Sequence, residues 1–110
     1  MNYTLFITAQ AERDLNGAVN YIVQILLNPQ AADDLLNEAE RKLGELALFP
    51  EKYAPVDDPV LKSWGIRFTN VKNYLVFYLV SRQEQRVYIV RFLFQKRDWA
   101  AILKQGFSLE

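Results

Sequence analysis

Five side chains in the last third of the sequence have types and spacing that could do chemistry: Arg67, Tyr74, Arg91, Lys96 and Arg97. Arginine can grip phosphate or carboxylate oxygens through two parallel N–H bonds, lysine supplies a compact charge, and a tyrosine hydroxyl can donate a proton. Such a set suits phosphate recognition and metal-free cleavage, and it equally suits an acidic polypeptide. The surrounding charge strengthens the pattern. From Lys62 to Lys104 nine Lys/Arg stand against two acids, Glu84 and Asp98, a local net of +7, while residues 1–61 carry four basic residues against ten acids, a net of −6. The formal charge of the whole chain is zero and conceals this division. A basic face of this size attracts phosphates or acidic segments while the acidic face stays solvated.

Composition narrows what the basic block could do. The 110 residues contain neither histidine nor cysteine. Without thiolates or imidazoles a zinc or iron site would rest on carboxylates alone, so neither a metal nor another cofactor is expected. The commonest general base near neutral pH is also missing, and any catalysis must use Lys, Arg, Tyr or carboxylates with shifted pKa values. Asp33, Asp34, Glu38, Glu40 and Glu45 have the spacing of a solvated helix face, and no two of them stand out as a hydrolytic pair. No apolar run approaches the roughly 18–20 residues needed to span a membrane, and no secretory leader is visible, which places the expected location in the cytoplasm.

Each candidate has a structural alternative. Arg91, inside the apolar run Val87 to Phe94, must face either the open side of a sheet, where it could hold phosphate, or an acid of the second helix or a loop. Arg67 alternates with Ile66 and Phe68 and should point away from the core. Lys96 and Arg97 stand where the last strand becomes a helix, although Arg97-Asp98 could be a local ion pair worth ~1 kcal/mol or less. Tyr74, beside Lys72, is a better site residue than Tyr78, whose position suits packing. Trp99 reads as a core anchor, and Trp64 could belong to a partner surface.

The elements that must hold these side chains follow from periodicity. Half of the chain is hydrophobic, enough for one domain over residues 1–110; the terminal Leu109-Glu110 is given no weight, because such a pair can be left by cloning. Alternation from Met1 to Thr8 predicts a short strand. Thr8 can cap a helix over Ala9 to Leu27, with Ala11, Leu15, Ala18, Ile22 and Ile25 on its apolar face. Asn28-Pro29 restarts a second helix with the stripe Ala32, Leu35, Leu36, Ala39, Leu43 and Leu46, ended by Phe49-Pro50. Glu51 to Ser63 is turn-rich and reads as a loop. Strands are predicted over Ile66–Val71, Tyr74–Val80 and Val87–Phe94, the second apolar on both faces and therefore central, and a closing helix over Lys96–Leu103. The order β-α-α-β-β-β-α gives an α+β fold, a helical hairpin packed on a mostly antiparallel sheet with a short C-terminal helix.

Ala11-Glu12-Arg13-Asp14-Leu15, Asn28-Pro29 with Ala31-Ala32, Leu48-Phe49-Pro50, Gly65-Ile66-Arg67, Asn73 to Tyr78 and Arg97-Asp98-Trp99 follow one another in an order that resembles the RelE/ParE superfamily of bacterial toxins. These are the toxins of type II toxin-antitoxin systems, often called plasmid stabilisation proteins. The resemblance spans essentially the whole chain and implies a microbial ribonuclease-like fold and a toxin held inactive by a cognate antitoxin. RelE-like members are ribosome-dependent mRNA endoribonucleases (mRNA interferases) that use Lys, Arg and Tyr; ParE-like members inhibit DNA gyrase. This sequence departs from the RelE pattern: Leu75, Phe68 and Asn70 stand where basic residues are expected, and Ala101 near the expected tyrosine. The resemblance is therefore closer to ParE-like members and implies growth inhibition through a protein target such as gyrase. The alternatives are a RelE-like nuclease, in which Arg67, Arg91, Lys96 and Arg97 hold phosphate and Tyr74 assists proton transfer, and a non-toxic binding domain.

Overall fold

Caps and prolines set the boundaries of the helices in the computed structural model, which describes residues 2–110. The elements are β1 (Thr4–Ile7), α1 (Ala9–Gln24), α2 (Pro29–Leu48), α3 (Pro59–Ser63), β2 (Arg67–Val71), β3 (Tyr74–Ser81), β4 (Arg86–Phe94) and α4 (Trp99–Lys104). Thr8 caps α1 by accepting from the Ala11 N–H at 3.2 Å, and Asn28 caps α2 by accepting from the Ala31 N–H at 3.1 Å. Both caps are those the sequence predicts, since short polar side chains satisfy amide groups that no helical carbonyl can reach.

Three boundaries differ from expectation. α1 stops at Gln24, so Ile25 is exposed rather than part of the buried stripe; Leu36 is likewise exposed on α2. The stretch read as a loop contains α3, whose N-cap Asp58 accepts from the Val60 and Leu61 amides at 3.0 and 3.1 Å, with Pro59 in the first turn. Five residues are too few to show helical periodicity, but Asp58-Pro59 is a cap-and-proline start. The closing helix begins after Asp98, which caps it by accepting from Ala101 N–H at 3.3 Å, so Lys96 and Arg97 lie in the preceding turn.

The sheet order is β1-β4-β3-β2, with β1 parallel to β4 and the other pairs antiparallel. β3 is interior, as its two apolar faces require. A bulge shifts the β3–β4 register between Phe77, opposite Arg91, and Tyr78, opposite Ile89, leaving Val90 as the extra residue. α1 and α2 cover one face through Ala18, Ile22, Leu35, Leu46, Val76 and Ile89. The other face is not open. Val56, Leu61 and Leu103, carried by the connection, α3 and α4, pack over Leu75, Phe77, Val90 and Leu93. A 2.7 Å ion pair between Lys104 and Asp58 ties α4 to the start of α3.

Gly17 and Gly44 sit inside α1 and α2, and a Cβ at either would meet nothing within 4 Å. Glycine inside a helix costs roughly 0.5–1 kcal/mol relative to alanine. Gly44→Ala and Gly17→Ala are each expected to raise the unfolding free energy by about that amount, measured by urea denaturation; an unchanged midpoint would show that the unfolded chain is restricted there already.

Candidate functional site

Arg91 is held by the first helix, not by the second helix or a loop. β1 ends at Ile7, opposite Ile89, and the edge of β4 beyond that point is taken over by side chains of the α1 region. The Thr8 hydroxyl donates to the Ile89 carbonyl at 2.8 Å. Asp14 accepts from the Phe92 N–H at 3.0 Å and bidentately from Arg91, at 2.7 Å from Nε and 3.1 Å from Nη2. A fourth bond comes from Gln10 Nε2 at 3.0 Å. The side chains of Arg91 and Asp14 are 15% and 9% exposed, so the pair is largely desolvated. An arginine engaged in this way holds the sheet to α1, and its guanidinium is committed within the fold.

Arg67 points to the helix-covered face, where its neighbour across the ladder is Tyr78. Its guanidinium donates to the carbonyl oxygens of Tyr53 and Glu51 and stands 3.6 Å from the Glu51 carboxylate. Glu51 is shared with Arg82, whose hydrogen bond holds the carboxyl below its ordinary range, against a smaller opposing effect of burial. The Tyr53 hydroxyl donates to Glu45 at 3.1 Å. Arg67 therefore straps residues 51–53 to the sheet edge. Beneath the strap, the Tyr78 hydroxyl is fully buried and makes no hydrogen bond of ordinary geometry. Burial pushes its pKa up to about 12, with the Arg67 cation pulling the other way.

Tyr78→Phe is expected to stabilise the domain by up to about 1 kcal/mol, because it removes a buried hydroxyl that has given up water for no more than a poorly aligned bond from the Tyr53 backbone N–H. An unfolded tyrosine ionises near pH 10, whereas folded Tyr78 waits until about 12. The wild type should lose stability as pH rises from 10 through 12, and the phenylalanine variant should lose less. A destabilised variant in thermal melts would show that the hydroxyl has a partner after all.

Tyr74 and Arg97 are the two candidates that the fold brings together. They line a cleft of about 290 Å³ with Arg13, Gly17, Phe92 and Phe94. Tyr74 stacks on Phe92, with ring centroids 5.1 Å apart, and meets Phe94 edge-on at 5.5 Å, so the cleft has an aromatic floor. Burial raises the Tyr74 pKa, and nearby Tyr21 adds to the rise, so the phenol stays protonated as a donor at neutral pH. A larger cleft of about 680 Å³ shares Tyr74 and Phe94 and extends past Lys72 to Tyr21 and Leu26 of the helical hairpin. Lys96 is exposed beside Arg97 but lines neither cleft, and Arg67 lies apart on β2.

The hairpin side of this groove went unpredicted. Tyr21 and Leu26, which line it, are 52% and 55% exposed, and Ile25 and Leu27, next to Leu26 in the chain but outside the lining, are 66% and 78% exposed. The available signal was three consecutive aliphatics before Asn28, which no amphipathic helix can bury together. Trp99, expected as a core anchor, lies 5.3 Å from Phe77, ring to ring, while Trp64, read as a residue that could belong to a partner surface, is half-exposed against Phe107 at 6.3 Å. Among the described residues no group of three or more His, Cys, Asp or Glu side chains is placed to hold a metal ion, and no helix is long and apolar enough to cross a membrane.

Comparison with known proteins gives this geometry a context. A family model described as the ParE toxin of the type II toxin-antitoxin system parDE matches residues 5–99. A solved chain from the chromosomal ParDE toxin-antitoxin system of P. aeruginosa superposes with a TM-score of 0.66 at 18% sequence identity, covering 84% of this chain and 95% of that one. At that identity the likeness establishes the shared fold. A search of curated proteins returned no match.

Proposed function

The chain belongs to the ParE toxin family of type II toxin-antitoxin systems, and from that membership we propose that it acts inside the cell as a growth-inhibiting toxin that binds a protein target such as DNA gyrase and is neutralised by a cognate antitoxin. The observation that carries a binding rather than a cleaving role is the dispersal of the basic candidates. Arg91 is committed to Asp14 and Arg67 to the Glu51–Tyr53 strap, on different parts of the sheet. Phosphodiester cleavage without a metal needs several cations and a proton donor converging on one phosphate. Of the five candidates, Tyr74 and Arg97 share a cleft, where Arg13 joins them. What this arrangement offers instead is an aromatic groove edged by Lys72 and Arg97, neither of which has a side-chain partner among the described residues, a surface suited to a polypeptide.

Purified protein titrated into a gyrase supercoiling assay and, in parallel, into a translating system with mapped mRNA ends tests this. Loss of supercoiling with intact mRNA supports the proposal. Codon-positioned cuts with supercoiling unaffected would overturn it in favour of a ribosome-dependent endoribonuclease.

A further inference from the structure

Of the nine Lys/Arg from Lys62 to Lys104, four stand against carboxylates: Arg67 and Arg82 at Glu51, Arg91 at Asp14 and Lys104 at Asp58. Arg86 lies over the rings of Phe6 and Tyr88. Lys62, Lys72, Lys96 and Arg97 are left exposed, with no side-chain partner among the described residues. Three of these four meet at one end of the sheet. The β2–β3 turn carries Lys72 and the turn after β4 carries Lys96 and Arg97, and the two turns are tied where the Gln95 N–H donates to the Asn73 carbonyl at 2.9 Å. Lys72 has φ 55°, the left-handed region that asparagine or glycine would occupy at lower cost. A lysine kept at a hairpin tip in that conformation, with its ammonium bonded to nothing in the fold, gives up stability for what its charge does outside it.

The chemistry of this end fits phosphodiesters. Asp98 is the one acid in either turn, and its carboxylate caps α4. Asp34 and Glu38, which share a cleft with Lys72, accept from Gln30 and Arg41. Around the cations Asn70, Asn73 and Gln95 are exposed, and such amides bond phosphate and sugar oxygens. Cations on separate turn tips do not converge on one phosphate as cleavage requires, but they can meet successive phosphates of a strand. Tyr74 offers little to an unpaired base, because its ring is stacked on Phe92 and meets Phe94 edge-on. An acidic polypeptide would need apolar surface to cover, and the turn tips present amides instead. We propose that Lys72, Lys96 and Arg97 form a binding site for the phosphate backbone of duplex DNA, engaged without regard to base sequence. The site goes beyond the toxin reading and is independent of it, since it needs neither gyrase nor an antitoxin.

The probe is a short labelled DNA duplex of mixed sequence, titrated with the full chain and followed by fluorescence anisotropy over a range of salt concentrations. Three phosphate contacts predict that log K falls with log salt at a slope of about −3. Lys72→Gln, Lys96→Gln and Arg97→Gln are each expected to weaken binding by about threefold or more and to flatten the slope by about one. Lys62→Gln removes the same charge ahead of β2, whereas Lys72 follows that strand, and should change neither quantity. Lys72→Asn should melt above the wild-type temperature and yet bind as weakly as Lys72→Gln, a combination that a merely structural lysine would not give. Wild type that leaves the duplex free even at low salt would overturn the site. So would Lys62→Gln that weakens binding as much as Lys72→Gln, since charge anywhere on the chain would then suffice. Tighter binding of a single strand of the same length, lost in Phe94→Ala, would overturn the duplex in favour of unpaired bases. Tighter binding of a polyglutamate peptide would overturn nucleic acid in favour of an acidic polypeptide.

Discussion

Asp14→Ala is expected to lower the unfolding free energy by about 3–5 kcal/mol, the cost of leaving a largely buried arginine without its counter-charge. Arg91 would keep its desolvation and lose both bonds to Asp14, and the Phe92 N–H would lose its acceptor at the strand edge. For a domain whose total stability is typically 5–15 kcal/mol, that leaves little in reserve. Arg91→Ala should cost somewhat less, because the Asp14 carboxylate loses its counter-charge but keeps the bonds from the Phe92 N–H and Gln10. Asp14→Asn keeps an acceptor but not the charge and should fall between these and wild type. The double replacement Asp14→Leu/Arg91→Met should recover much of the loss, since apolar residues of similar size often replace a buried pair at little cost. Urea denaturation followed by circular dichroism measures all four. A loss under 1 kcal/mol in Asp14→Ala would mean that water screens the pair. The consequence for function is direct: reduced toxicity of Arg91→Ala must first be separated from reduced folding before Arg91 is assigned to any target contact.

The two long helices, α1 and α2, were legible in the sequence because their signals are local. Thr8, Asn28-Pro29 and Phe49-Pro50 mark ends by what one side chain or one missing N–H does to its own turn. β3 was legible because seven consecutive apolar residues leave a strand no solvent face. Pairings across long sequence distance were not. Asp14 and Arg91 are 77 positions apart, and nothing in either neighbourhood names the other. The same limit hid the second core: Val56, Leu61 and Leu103 come from segments too short to show a period, yet together they close the face that one of the two readings of Arg91 left open to solvent. Of the proposed site, Tyr74 and Arg97 were found from charge and position. Gly17 and Leu26, which also line the clefts, were missed because a glycine and a leucine inside a helical pattern carry no chemical signal of their own.

Phe77→Ala should be comparably damaging, at about 3–5 kcal/mol, and its effect should reach the groove from the opposite face of the sheet. Phe77 is fully buried opposite the β4 bulge, with Phe68 on one side at 6.3 Å and Trp99 on the other at 5.3 Å between ring centroids. Removing the ring opens a cavity that neither strand can close without giving up its ladder, so the lost contacts are not regained elsewhere. Trp99 opens α4 and follows the turn that carries Lys96 and Arg97. Loosening Trp99 therefore frees the one basic candidate that shares a cleft with Tyr74. In a Trp64→Phe background, where Trp99 is the remaining tryptophan, Phe77→Ala should shift the emission to longer wavelength and lower the urea midpoint, with Phe77→Leu intermediate. A full stability loss with unshifted Trp99 emission would show that α4 is anchored by Leu103 and the Lys104–Asp58 pair instead. Arg97 would then keep its place even when the core beneath the bulge is weakened, and its contribution to target binding could be measured free of the fold.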